Sequence, residues 1–237
     1  MIADLSIPLD FRGPQPNAFG VDVAIATPLG DTRDGSSVNF EQYTFIPHCN
    51  GTHTECVGHI TDDRISVRDC LQDVIMRAVL ISVEPSSSGH EFVIDLHELT
   101  KAGIASGSDA LIIRTLPNNE TKLSRNYDGN NIPPYFTAEA MRYIVDCGFK
   151  HLLVDLPSID RMFDEGKLEN HRIFWNVESG SRAVGVDTRI RSTVTELIYV
   201  PNEVADGEYL LNLQIAPFET DAAPSRPILF TIPSPTS

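Results

Sequence analysis

The sequence predicts an α/β fold, a mixed sheet with antiparallel additions, and three observations predict it. Short β-branched runs alternate with helical spacing through the middle of the chain, strand runs parted by turn residues fill the last third, and the first 45 residues are broken by Pro and Gly. That opening stretch (Pro8, Gly13, Pro14, Pro16, Gly20, Pro28, Gly30) should form loops and short strands, an arm long enough to cover a site. AVLISV (Ala78 to Val83) reads as a buried strand, PSSSGH as a turn, and EFVIDLHELTKAGI as a strand running into a helix. LIIRTL (Leu111 to Leu116) is the next strand. The loop Pro117 to Pro134, dense in Asn, Gly and Pro, is expected near a substrate because loops of that length usually serve a site. Thr137 is placed to cap a helix through Cys147, whose apolar positions Ala138, Met141, Ile144 and Val145 keep helical spacing, with Gly148 as its stop. HLLVDL (His151 to Leu156) follows as a buried strand. TELIYV, YLLNLQI and RPILFTI close the chain as strands, the first two joined at an Asp206-Gly207 turn. At 237 residues, one domain spanning 1–237 can bury a sizeable core.

A formal charge of -15 and a pI near 4.7 argue against nucleic acid or an anionic membrane surface as partner, because both would repel this surface. There is no run of eighteen apolar residues and no secretory leader at MIADLSIPLD, which predicts a cytoplasmic protein. Cys49, Cys56, Cys70 and Cys147 form no CxxC pair and are expected as free thiols, with Cys70 and Cys147 serving as small buried hydrophobes.

The densest chemistry is PHCNGTHTECVGHI, Pro47 to Ile60, which holds three of the seven histidines. In an extended segment the odd-numbered Cys49, His53, Glu55 and His59 leave one face and His48 leaves the other. Neighbours on that face lie roughly 6 to 7 Å apart, which lets His53 and Glu55 converge on one cation with bonds of about 2.0 to 2.2 Å. Cys49 can join them if the chain bends at Gly51. His59 needs a turn to reach the same centre, and Gly58 offers one. Imidazole, carboxylate and thiolate together suit Zn²⁺, while the nitrogen and oxygen donors alone would also suit Mn²⁺ or Fe²⁺. The residues by themselves point to a site of metal-hydrolase type and match no zinc-finger or HExxH pattern.

GTHTE followed by GH resembles the cyclase family of metal-dependent hydrolases, which includes kynurenine formamidases and isatin hydrolases and whose signature runs HxGTHxDxPxH. Gly51, Thr52, His53 and His59 match it. Glu55 stands where Asp is usual, Cys49 where the first histidine is usual, and Val57 replaces the proline. DLSIPL (Asp4 to Leu9), LIIRT, VDLPSID (Val154 to Asp160) and SRPIL (Ser225 to Leu229) resemble further segments of the same family. The resemblance implies a swivelling β/β/α fold assembled as a homodimer or homotetramer and holding one or two divalent ions, zinc first and manganese second. It also implies a ligand set of His53, Glu55, His171 and Glu196 with Cys49 in the first slot, and for His59 the role of second-metal ligand or of catalytic proton-transfer residue. His48 is the alternative to Cys49. Asp155, Ser158 and Asp160 are expected to hold turns or to bond to ligands rather than to react.

The function this implies is hydrolysis of a carbon–nitrogen bond in a small-molecule amide, with N-formylkynurenine, cleaved to kynurenine and formate, as the leading substrate. The alternatives are a hydrolase of another cyclic amide or lactone on the same fold, and a small-molecule binding protein in which Cys49 and Glu55 no longer support turnover.

Overall fold

The structure, a computed structural model, describes residues 1–104 and 107–233. Its strands are apolar on both faces where helices cover one side and a barrel interior the other. The Pro- and Gly-rich opening gives short strands, β1 (Ala3–Asp4), β2 (Asn17–Ala18), β3 (Ile25–Gly30) and β4 (Phe40–Thr44). Pro47 then starts a one-turn helix, α1 (Pro47–Asn50), where a missing N–H costs nothing. β5 (His53–Glu55), α2 (Val67–Cys70), β6 (Ile75–Val83), β7 (Ser86–Ser88) and β8 (Glu91–Ile94) follow, and α3 (Leu96–Ala102) and β9 (Ala110–Thr115) lead to β10 (Asn126–Tyr127) and β11 (Tyr135–Phe136). The remainder is α4 (Ala138–Asp146), β12 (His151–Val154), α5 (Glu169–Trp175), β13 (Thr193–Glu196), β14 (Gly207–Ile215) and β15 (Ala222–Phe230).

The main sheet runs β1-β15-β14-β6-β9-β12-β13-β5, and β5 also pairs with β15, so seven of its strands close into a barrel-like ring with β1 appended. β6, β9, β12 and β13 are parallel, and β14, β15 and β5 enter antiparallel. This is the mixed sheet with antiparallel additions that the sequence predicts. Side-chain alternation divides the core. Val79, Ile81, Leu111, Ile113, Leu152 and Val154 pack against helix residues such as Met141, Ile144 and Phe174, while Ala78, Leu80, Ile112 and Leu153 meet Leu211, Leu213 and Leu229 inside the ring. Each large side chain so buried contributes roughly 1.5–3 kcal/mol, and truncating Ile144 to Ala would cost about 2–5 kcal/mol.

The expected helix cap is present. Thr137 Oγ1 accepts a bond from the Ala140 N–H at 3.2 Å, and Gly148 leaves the helix at φ 88°, in the left-handed region that favours glycine. Cys70 is buried as expected, but Cys147 at the helix end is only half-buried.

Other local expectations also fail. Ser86–Ser88 of PSSSGH is not a turn but strand β7, paired with β8, and only Gly89 and His90 turn. Pro47–Asn50 is helical, so strand parity does not apply to His48 and Cys49. No hairpin turns at Asp206-Gly207 either. The Asp206 carboxylate is taken by the Ser82 N–H at 2.7 Å and by Arg114 at 2.8 Å, so β14 pairs with β6 and β15 instead of with β13. TELIYV accordingly pairs only as far as Glu196 in β13, and Leu197 turns away at φ 54°. Among the described residues no helix is long and apolar enough to cross a membrane.

Candidate metal centre

β5 lies between β13 and β15, and its register sets His53 opposite Glu196 and Glu55 opposite Val194 and Ala222. Thr52 fixes the strand's entry: its hydroxyl accepts the Ile7 N–H at 2.7 Å and donates to the Leu197 carbonyl. The GTH motif and the N-terminal DLSIPL segment are thereby tied together. Gly58 permits the 3-10 turn Val57–His59 that brings His59 back, because a Cβ there would lie 2.4 Å from the Ile65 carbonyl oxygen.

Two groups of donor atoms result, each lying within 4.8 Å of one another: His53, Glu55 and Glu196, and His48, Glu55 and His59. Glu55 belongs to both, with Oε1 2.8 Å from His171 Nε2 and Oε2 3.6 and 3.8 Å from His48 Nε2 and His59 Nδ1. His171 Nε2 is also 3.7 Å from Glu196 Oε1. Of the residues the sequence selects, His53, Glu55, His171 and Glu196 form a buried floor and His59 stands at a half-buried rim. Cys49 is buried beside them and lies in neither group. His48 takes a place at the rim because α1 rotates it there. The remaining rim residue is Asp221, whose Oδ2 is 3.0 Å from His48 Nε2 and 3.4 Å from His59 Nδ1. Sequence reasoning passes over Asp221, and its one signal is a carboxylate immediately before a strand.

Each floor histidine has a hydrogen-bond acceptor at Nδ1. A carbonyl oxygen only accepts, so His53 donates from Nδ1 to Gly51 O at 3.0 Å, and its Nε2 is left buried without a hydrogen-bond partner, 3.5 Å from Glu196 Oε2. His171 donates from Nδ1 to Asp160 Oδ2 at 2.5 Å, and Asp160 Oδ1 also accepts the Asn170 N–H at 2.6 Å. This gives Asp160 the orienting role expected of it, one common around metal-bound imidazoles. The Nε2 atoms of both rings therefore converge on two buried carboxylates, His53 Nε2 on Glu196 and His171 Nε2 on Glu55 at 2.8 Å. Among the described residues no Lys or Arg pairs with Glu55 or Glu196.

The titration behaviour repeats this demand for positive charge. Burial disfavours ionised His53, yet the facing Glu196 carboxylate raises its pKa overall. Burial likewise opposes charge on His171, but Glu55 and Asp160 raise it well above the usual imidazole range. Glu55 is held far below the usual carboxylate range despite its burial, because His59, His171 and His48 surround it. Bonds from His48 and His59 hold Asp221 low in the same way. Cys49 is pushed up to about 11, by burial first and then by the Glu196 charge, which keeps it a thiol. A divalent cation fits this donor set of imidazole lone pairs and carboxylates.

Beyond the rim, a cavity of about 430 Å³ is lined by Tyr43, Phe45, Pro47 and Phe218 and ends at His48 and Asp221. The Pro117–Pro134 loop is anchored through buried Lys122, whose Nζ lies 2.8 Å from Asp155 Oδ2, and its Tyr127 packs beside Leu197, the residue after Glu196.

Residues 3–161 match the model of the Cyclase family, described as "Putative cyclase". This chain belongs to the Cyclase family. It is similar to the kynurenine formamidase of Bacillus anthracis, with 26% identity over 220 residues, covering 86% of this chain and 91% of that one. In fold it is similar to isatin hydrolase A from Labrenzia aggregata (TM-score 0.67, 13% identity, 98% and 93% of the two chains). It is also similar to a "predicted metal-dependent hydrolase" from Bacillus stearothermophilus (TM-score 0.65, 16% identity, 96% of each chain). The matched residues include Cys49, His53, Glu55 and His59, while His171 and Glu196 lie beyond them.

Proposed function

We propose that this Cyclase-family chain is a metal-dependent hydrolase of a small-molecule amide, arylformamidase-like, with zinc as the leading ion and N-formylkynurenine as the leading substrate. The observation that carries the metal requirement is the floor itself: the Nε2 atoms of His53 and His171 face Glu196 and Glu55, and among the described residues no lysine or arginine balances those carboxylates. His53, Glu55, Glu196 and His171 would hold the ion. When bound, a divalent cation supplies Lewis acidity toward a carbonyl oxygen and acidifies water at neutral pH.

The chain's own groups supply the rest. Asp160 keeps the proton on His171 Nδ1, and Gly51 O keeps the one on His53 Nδ1, so neither floor imidazole needs to reorganise during turnover. The aromatic walls at Tyr43, Phe45 and Phe218 can pack an aryl ring and exclude water above the rim, which favours an aryl amide over a purely polar substrate. His59 fits two roles, and they make different use of Asp221. As proton carrier it would keep Nδ1–H on Asp221 and exchange a proton with the leaving amine at Nε2, whereas as ligand it would offer the Nδ1 lone pair. An assembly of two or four copies belongs to the same reading and is supported by the exposed Ile25, Leu29, Phe40 and Tyr43 on the β3–β4 hairpin.

The test is hydrolysis of N-formylkynurenine, followed by the absorbance of the aniline product, before and after chelation and metal restoration. Loss on chelation with recovery on Zn²⁺ or Mn²⁺ is expected, and chelator-resistant activity from protein without bound metal would overturn the reading. A panel of cyclic amides and lactones separates the formamidase reading from the ring-opening one.

A further inference from the structure

The rim departs from the sequence motif: the motif's first ligand slot here is Cys49, whereas the donor group at the rim holds His48 with Glu55 and His59. Three donors there, His48, Glu55 and His59, lie within 4.8 Å of one another, and Asp221, outside that group, brings its Oδ2 to both histidines. The atoms concerned are His48 Nε2, His59 Nδ1, Glu55 Oε2 and Asp221 Oδ2. Their separations are 3.0 Å (His48 to Asp221), 3.4 Å (His59 to Asp221), 3.6 Å (His48 to Glu55) and 3.8 Å (His59 to Glu55). Only the first lies within the 2.7–3.2 Å or so of a good N–H···O bond. A tetrahedral cation with bonds of about 2.0–2.2 Å has ligand–ligand edges of about 3.3–3.6 Å, and the four distances straddle that range. The two imidazoles stack, with ring centroids 4.6 Å apart, so their nitrogens reach the carboxylates side by side. Glu55 turns its other oxygen to the floor, at 2.8 Å from His171 Nε2, and is thus oriented as a carboxylate bridge between two centres.

We infer that this chain has moved its outer cation site off the motif position: His48, His59 and Asp221, with the Glu55 bridge, form a second divalent-cation site at the mouth, and Cys49 is not a ligand. Three elements build it, α1, the 3-10 turn after β5, and the residue that opens β15, which explains why no single motif spells it. The inference rests on the proposed metal-dependent reading and settles His59 as a ligand through Nδ1. It also makes the solvent-facing ion the more exchangeable one, since His48 and His59 are each more than a quarter exposed while His53 is fully buried.

Full-length protein loaded with Zn²⁺ or Co²⁺ and freed of excess metal by gel filtration gives the test, with metal content and the cobalt absorption spectrum as readouts. About two ions per chain are expected, falling to about one in Asp221→Asn and in His48→Gln, and staying at about two in Cys49→Ser. The cobalt form should carry no near-ultraviolet thiolate band, and absorption-edge scattering should find no sulfur near 2.3 Å. Two ions retained in Asp221→Asn, or a thiolate band that Cys49→Ser removes, would overturn the inference while leaving the floor site standing. A single ion in the parent protein would do the same. No bound ion at all would overturn the proposed function with it. Asp221 is part-exposed and Asn has nearly its shape, so this variant decides the matter even if His48→Gln fails to fold.

Discussion

Two buried carboxylate settings in this molecule are neutralised in opposite ways. Asp155, at the end of β12, has Lys122 Nζ at 2.8 Å and also accepts from the Thr115 backbone N–H and hydroxyl at 2.9 Å, and every donor around it belongs to the chain. Glu55 and Glu196, equally buried, face the Nε2 atoms of His171 and His53, whose Nδ1 atoms are held by Asp160 and by Gly51 O. Where the chain needs a permanent internal anion it provides a permanent cation. At the centre it withholds one and leaves a place that a proton or a metal ion must take. The difference separates a structural carboxylate from one built to exchange its counter-charge.

Removing the counter-charge at each place should break the comparison most sharply. Lys122→Met leaves Asp155 buried and unpaired and should cost about 3–5 kcal/mol, read by denaturant unfolding, with metal content unchanged. Glu55→Gln should do the reverse, abolishing metal uptake with a much smaller loss in the metal-free protein. Equal destabilisation by the two would show that Glu55 is as structural as Asp155.

A smaller effect is expected from Asp160→Asn, which no longer holds the His171 Nδ1 proton with a charge. Metal affinity should fall roughly 10–100-fold with the fold intact, measured by competition with a chromophoric chelator. Unchanged affinity would reduce Asp160 to a cap for the Asn170 N–H.

The smallest effect is on pH dependence. His53 and His171 have folded pKa values raised above 6.5, so their protons stabilise the metal-free fold fully below that value, and the contribution is lost as pH rises through the raised values. Metal-free protein should therefore lose thermal stability from neutral to alkaline pH, while loaded protein, whose ion replaces those protons, should not. A gap in melting temperature between the two forms that stays constant with pH would contradict this.

The sequence makes one half of the centre legible and hides the other for definite physical reasons. His53 and Glu55 can be placed on one face because β5 really is extended and the period of two holds there. The same reasoning misassigns the residues just before it, because Pro47 opens a helical turn and carries His48 instead of Cys49 to the mouth. His171 and Glu196 are reachable through the family resemblance, and register then explains Glu196, which pairs directly opposite His53. Asp221 offers only its position before a strand as a signal, and its role depends on β15 pairing with β5 from more than 160 residues away in the chain. The fold reads well wherever apolar runs are continuous and fails at Asp206, whose carboxylate is spent on Ser82 and Arg114 rather than on a turn.

The three residues of β5 close the ring, pairing with β13 on one side and with β15 on the other. The clasp of the barrel and its working part are thus the same short strand. A slip of one residue would point His53 and Glu55 away from the cluster and misalign both seams at once, so this architecture permits few half-assembled states. Closure and the site's geometry stand or fall together, and an ion seated across that clasp would act as its latch.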